Sequence, residues 1–177
     1  MVRCIGQNDI RWKAVAAPAS NQRWASVGLA IPCWSEEVVH VAFTIDTPDR
    51  EVMAWVATAG GGISGEMIRD MMLACVESRF GDVRAPPLPV QWLADNGSHD
   101  TAKDTVDFAT ALNLAACFTP PRRPESDSVC EAFVKTRQRD YSRVNPRPDA
   151  LTLLKQLPAW FENYNTTQLR LAHALTP

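Results

Sequence analysis

The sequence lacks the long apolar runs, the signal segment and the clustered cysteines that mark membrane, secreted and zinc-binding proteins. No apolar stretch approaches the roughly 18 residues that a bilayer-spanning helix needs, because charge or glycine interrupts each run within a few residues. The first residues carry no apolar signal core, so we expect a cytoplasmic protein. The five cysteines stand far apart, with no Cys-x-x-Cys pair and no Cys/His cluster. We therefore expect reduced, mostly buried thiols and neither a disulfide scaffold nor a zinc site.

The chain also lacks the excess of positive charge that is typical of proteins that coat DNA. Its 18 basic and 20 acidic residues give a net charge of −2. The segment 122–147 departs from this balance, because it holds seven basic and four acidic residues. Its basic side chains, among them Arg122, Arg123, Lys135 and Arg139, are candidates for contacts with DNA phosphates. A solvated helix face explains the same pattern.

The pattern of apolar residues predicts three strands followed by alternating helices and strands. Strands are predicted over 22–31, 38–45, 51–58, 90–94 and 115–118. Helices are predicted from the N-cap Ser64 to Gly81, over 101–112, over 129–144 and over 149–164. This order predicts an α/β fold of the ribonuclease-H-like class, a five-stranded mixed sheet with helices on its faces. Residues 1–20 are expected to form a linker-like segment, 21–165 a catalytic-type core and 166–177 a tail.

Two carboxylates in this order of elements are candidates for chemistry. Asp95 follows an apolar strand directly, at the carboxyl end where ligands bind open α/β sheets. Glu131 lies in the first turns of a predicted helix. Taken singly, Asp95-Asn96-Gly97 is also a common turn and Glu131 compensates a helix dipole. Between them lie a helix, a strand and a loop, enough chain to bring the two carboxylates together.

At this point the sequence resembles the insertion-sequence transposases of the retroviral-integrase-like group. The motifs that carry the resemblance are ordered along residues 20–165: NQRW (21–24), WLADNGS (92–98), FTP (118–120), PES (124–126), EAFVKT (131–136), RDY (139–141) and WFENYN (160–165). The resemblance implies a DDE polynucleotidyl transferase, in which two aspartates and a glutamate hold two divalent metal ions. It makes Asp95 the second aspartate and Glu131 the glutamate. It implies Mg²⁺, with Mn²⁺ as a substitute, and it places Lys135 one helical turn beyond Glu131.

The first aspartate of that pattern is missing. Its position, three residues after Arg23-Trp24, is occupied by Val27, which cannot ligate a metal. If the first hairpin turned between Trp34 and Ser35, Val27 would face Ala42, and Asp46 would lie about 13 Å further along the sheet. We therefore expect an incomplete two-metal site that Asp46 does not rescue.

Other positions of the family pattern also differ in this chain. The family usually has an aromatic residue at Asp100, Asn-Gly at Asp127-Ser128 and a lysine at Gln138. Several of these differences surround the expected active site. They favour a decayed or repurposed copy over a working enzyme.

Three functions remain open from the sequence. The first is a transposase core that acts on transposon ends and target DNA in the bacterial nucleoid but is catalytically impaired. The second is an active transposase that uses another ligand, such as Asp46 or a water. The third is a non-enzymatic DNA-binding or oligomerising module. The resemblance also implies a homo-oligomer, and the lack of a helix-turn-helix before the core implies a separate DNA-binding partner chain or segment.

Overall fold

The computed structural model describes residues 2–5, 11–13, 17, 19–82, 85–95, 97–118 and 145–168 of the chain. The strands are β1 Val2–Ile5, β2 Arg11–Lys13, β3 Arg23–Pro32, β4 Val38–Asp46, β5 Glu51–Ala59, β6 Val90–Ala94 and β7 Leu114–Phe118. The helices are α1 Gly65–Phe80, α2 Ser98–Thr101, α3 Lys103–Ala111 and α4 Ala150–Asn163, which continues into a π-helical turn, Tyr164–Gln168. Each strand and helix predicted within the described residues is present, with bounds shifted by a few residues at most. The predicted helix over 129–144 lies outside the described residues.

A single mixed sheet forms the centre of the fold. Its strand order is β2-β1-β7-β6-β3-β4-β5. Strands β3, β4 and β5 form an antiparallel meander, whereas β6 runs parallel to both β3 and β7. The described residues thus contain a seven-stranded sheet, and the predicted five strands are its β3 to β7. The predicted α/β class is confirmed.

Helices cover the two faces of this sheet. Helix α1 is capped by Ser64, whose hydroxyl accepts a hydrogen bond from the Met67 amide at 3.2 Å, and it ends at Gly81, whose φ of 68° favours glycine. Together with α3 it packs on one face, around a core that includes Trp24 and Trp92. Helix α4 lies on the opposite face. In the described part of the chain, no helix is long and apolar enough to cross a membrane.

The register of the β3–β4 hairpin differs by one residue from the predicted one. Cys33 donates its amide hydrogen to the Glu37 carbonyl at 2.8 Å, which leaves a three-residue loop rather than the assumed two-residue turn. Glu36 takes the left-handed conformation, with φ 70°, that such loops require. An odd number of loop residues shifts the pairing by one, so Val27 faces Phe43 and not Ala42. A shift of one residue also exchanges the faces of the sheet.

The segment expected to be a linker contributes two strands and a disulfide. Strand β1 pairs antiparallel with β7 and places Cys4 directly opposite Cys117, with their Cα atoms 3.8 Å apart. The two sulfurs are bonded, so the expectation of reduced thiols is wrong for this pair. The contact could not be predicted from the sequence, because the two cysteines are 113 positions apart and only strand pairing across the sheet brings them together. Cys33 and Cys75 are free and buried, as predicted.

Candidate active site

Asp95 stands at the end of β6 with its carboxylate exposed to solvent. One carboxylate oxygen accepts the backbone N–H of Gly97 at 2.9 Å, which closes a tight turn between the strand and α2. The apolar strand before it is buried except for Gln91, which is half-buried. Asp95 therefore lies at the carboxyl end of a central parallel strand, exposed to solvent, and its position there was predicted from the sequence.

Val27 lies beside Asp95 on the neighbouring strand. The parallel register of β3 and β6 pairs Trp24 with Trp92 and Ala25 with Leu93. Continued by two residues, this register sets Val27 level with Asp95, in strands about 4.8 Å apart. Ala25 and Leu93 share one core cluster, and side chains alternate along strands, so Val27 and Asp95 belong to the same face.

The surroundings of Val27 are apolar. It is half-buried, and it packs against the cluster of Ala25 and Leu93 on one side and against that of Phe43, Val52 and Tyr164 on the other. The position at which the family pattern requires a metal-binding carboxylate is therefore occupied by hydrocarbon. A cation placed there would meet one carboxylate, Asp95, and no second one from β3.

Asp46 lies on the opposite face of the sheet. It pairs with Trp24 in the observed register, and it is three residues from Phe43, the partner of Val27. Its side chain is fully buried beneath α1, where it accepts hydrogen bonds from the Asn21 amide at 2.9 Å and the Arg79 guanidinium at 3.3 Å. Burial raises the pKa of this carboxyl, and the hydrogen bond from Asn21 opposes that effect. The structure therefore uses Asp46 as a structural group that cannot replace the missing aspartate.

Arg79, which the sequence did not single out, contacts three carboxylates, of which only that of Asp46 is buried. Its guanidinium contacts the carboxylates of Asp46 and Asp49 at 3.3 Å and that of Glu51 at 2.8 Å. The residue lies in the last turn of α1, so it ties this helix to the β4–β5 turn. The only signal in the sequence was a cation near a helix C-terminus, which is common on any surface helix.

Asp100 is a second carboxyl near Asp95, and it is buried in α2 with 7% of its surface exposed. Burial, with a smaller contribution from the charge of Asp95, raises the pKa of Asp100 to about 7. The sequence marked this position only as one at which the family usually has an aromatic residue. A buried side chain suits an aromatic residue better than a carboxylate, and the raised pKa reflects that mismatch.

The remaining predicted site residues lie outside the described residues. These are Glu131, Lys135, Arg139, Arg122 and Arg123. Within the described residues, no group of three or more His, Cys, Asp or Glu side chains is arranged to hold a metal ion. The described side of the site thus offers one exposed carboxylate, Asp95, beside Val27, with Asp100 buried nearby, and it does not fit a complete two-metal centre.

Comparison with known proteins shows the family of the chain. Residues 17–124 match the family model described as the integrase core domain. The chain is 53% identical over 146 residues to an uncharacterized protein of insertion element IS136 from Agrobacterium fabrum, covering 82% of this chain and 74% of that protein. It is 46% identical over 151 residues to transposase InsD of insertion element IS2D from Escherichia coli, covering 85% of this chain and 50% of that protein.

Among solved structures, the Mos1 transposase catalytic domain in complex with Raltegravir and Mg superposes with a TM-score of 0.64. The two are 14% identical, and the match covers 80% of this chain and 71% of that one. This likeness supports the ribonuclease-H-like architecture of the sheet and its helices. The chain belongs to the integrase core domain family, as a DDE-type core of the insertion-sequence transposases.

Proposed function

We propose that this chain is the core of an insertion-sequence transposase that keeps the fold but has lost most of the DNA strand-cleavage and strand-transfer activity of its family. The observation that carries the proposal is the valine level with Asp95 on the adjacent strand. DNA ends and target DNA are the substrate class. Mg²⁺ or Mn²⁺ is the expected metal, and the cytoplasm of a bacterium, on its DNA, is the expected location.

The loss follows from how the carboxylates act together. In the family pattern, Asp95 and Glu131 share their metal ions with the first aspartate, so removal of one ligand weakens the binding of both ions. Residues that act as one unit are not additive, and the loss of one removes most of the rate. Activity should accordingly fall by about 10³-fold or more relative to a complete site.

An active enzyme that uses Asp46 has no support from the geometry. Asp46 faces α1, whereas Asp95 and Val27 belong to the face covered by α4. Its carboxylate is also held by Arg79, which would have to leave before a metal could bind. A non-enzymatic DNA-binding module remains the second candidate. Its support is the basic segment 122–147, and it predicts an affinity for duplex DNA that falls steeply with salt.

Metal binding tests the proposal without knowledge of the DNA ends. Mn²⁺ binding is measured by calorimetry on the unaltered chain, on Val27→Asp and on Val27→Asn. The aspartate restores the missing carboxylate, and the asparagine has nearly the same shape as the aspartate but no charge. We expect at least about tenfold tighter binding in Val27→Asp than in Val27→Asn, because only the carboxylate adds a charge beside Asp95. Adding Glu131→Gln to Val27→Asp should reverse the gain.

Nicking of supercoiled DNA in the presence of Mn²⁺ provides the second measurement. We expect measurable nicking from Val27→Asp and none from Val27→Asn or the unaltered chain. If the unaltered chain binds Mn²⁺ and nicks DNA as well as Val27→Asp does, another group completes the site and the proposed impairment is wrong.

A further inference from the structure

The two edges of the sheet are built differently. At one edge lies β2, a strand of three residues that includes two basic ones, Arg11 and Lys13. At the other lies β5, a strand of nine residues, and no charge or proline occurs after its first residue, Glu51, up to Gly62. Proteins usually protect a long edge strand with lysine, proline or a covering segment, because its unpaired backbone groups are a template for another strand.

The hydrogen-bond pattern shows which backbone groups of β5 point outward. Gly60 donates its amide hydrogen to the Val38 carbonyl at 3.2 Å. Backbone groups alternate in direction along a strand, so those of Thr58, two residues earlier, also point toward β4. The alternating pattern of an antiparallel pair then directs the N–H and C=O groups of Trp55, Ala57 and Ala59 away from the sheet. In the described chain these outward groups have no hydrogen-bond partner.

Both ends of this outward segment are closed. At Val52 the side-chain amide of Asn165 takes the place of a neighbouring strand: its oxygen accepts the Val52 N–H at 3.0 Å, and its nitrogen donates to the Val52 carbonyl at 2.7 Å. After Ala59 the chain leaves the sheet through three glycines, 60–62, all with positive φ. Among the described residues, therefore, the stretch 54–59 is the part of β5 that is open to an added strand.

We propose that β5 is a self-association edge, at which the β5 strands of two copies of this chain pair antiparallel about a two-fold axis at Ala57. In that arrangement Ala57 pairs with its own counterpart, and Trp55 of each copy pairs with Ala59 of the other. About six main-chain hydrogen bonds then satisfy all the outward groups of both strands. The Asn165 amide falls opposite Gly62 of the second copy, just beyond the paired stretch.

A second copy fits this edge better than an unrelated peptide for two reasons. The open stretch has the same length and the same outward pattern in both copies, so one pairing fills both edges at once. The side chains that meet are uncharged, and each tryptophan, which stacks on Phe161 at 5.1 Å, faces an alanine rather than another bulky residue. The pairing requires neither metal nor DNA, so a test of it is independent of the proposed catalytic impairment.

Sedimentation equilibrium on the full chain over a range of concentrations tests the pairing. We expect a reversible dimer that Ala59→Pro weakens by about tenfold or more, since proline removes one outward N–H that pairs across the axis. Proline is tolerated at an edge where its missing N–H faces solvent, so the fold should persist by circular dichroism. Ala59→Ser, which retains the N–H, is the matched control and should dimerise like the unaltered chain.

A charge exchange at the axis makes the test specific to this register. Ala57→Glu and Ala57→Lys should each be monomeric, because two like charges would face each other, whereas an equimolar mixture of the two should dimerise. The inference is overturned if the unaltered chain stays monomeric at every concentration. It is equally overturned if Ala59→Pro dimerises as strongly as the unaltered chain, or if an equimolar mixture of Ala57→Glu and Ala57→Lys remains monomeric.

Discussion

Replacing Asp100 by asparagine should make the protein more stable at alkaline pH and leave it unchanged in acid. Asparagine has nearly the same shape as a protonated aspartic acid but cannot ionise. In the folded chain the pKa of Asp100 rises from 3.8 to about 7, mainly because the side chain is buried. A tenfold change in a proton equilibrium is worth about 1.4 kcal/mol, so full ionisation of this buried group costs up to about 4 kcal/mol.

The sign of the pH dependence follows from the direction of this pKa change. Below pH 3.8 the carboxyl is protonated in both the folded and the unfolded chain, and the unaltered protein has its full stability. Between pH 3.8 and about 7 the unfolded chain ionises this carboxyl while the folded chain keeps it protonated, so the stability is lost progressively over this range and levels off above it. The advantage of Asp100→Asn should therefore be near zero at about pH 4 and should reach its full value of up to about 4 kcal/mol above about pH 8.

Urea unfolding monitored by circular dichroism at several pH values measures this difference. The matched control is Asp95→Asn, which removes the smaller, electrostatic contribution and leaves burial intact. It should lower the pKa of Asp100 only slightly and retain most of the pH dependence. An equal effect of Asp100→Asn on the free energy of unfolding at pH 5 and pH 8 would show that Asp100 does not carry a raised pKa.

Three further changes test the packing that surrounds the site. Arg79→Met should destabilise the fold by about 3 kcal/mol in urea unfolding, because it leaves the buried carboxyl of Asp46 without its cation. A loss below about 0.5 kcal/mol, the size of an exposed ion pair, would contradict this. Cys4→Ser should cost up to about 4 kcal/mol under oxidising conditions and nothing in excess reductant, and peptide mapping should find Cys4 joined to Cys117 only in the unaltered chain. Asn165→Ala should cost about 1–2 kcal/mol through two lost hydrogen bonds, and a thermal melt no lower than that of the unaltered chain would refute it.

Much of the fold could be predicted because local patterns encode it. The β-branched, apolar run in 38–45 and the helical spacing after Ser64 depend only on residues close in sequence. The same holds for Asp95, since an apolar strand followed by Asp-Asn-Gly specifies the end of that strand. The absence of a carboxylate at Val27 also needed no tertiary information, because the spacing from Arg23-Trp24 locates it.

Registers and partners could not be predicted, because they depend on segments far apart in sequence. Because of one extra loop residue at Glu36, Asp46 lies under α1 and not on the face of the sheet that carries Val27. The pairing of β1 with β7 brings Cys4 to Cys117, to which it is bonded, and burial in α2 raises the pKa of Asp100. The order of elements, the position of Asp95 and the absence of a carboxylate at Val27 follow from the sequence alone. The face of the sheet on which each side chain lies depends on the register of strand pairing, because a shift of one residue exchanges the two faces.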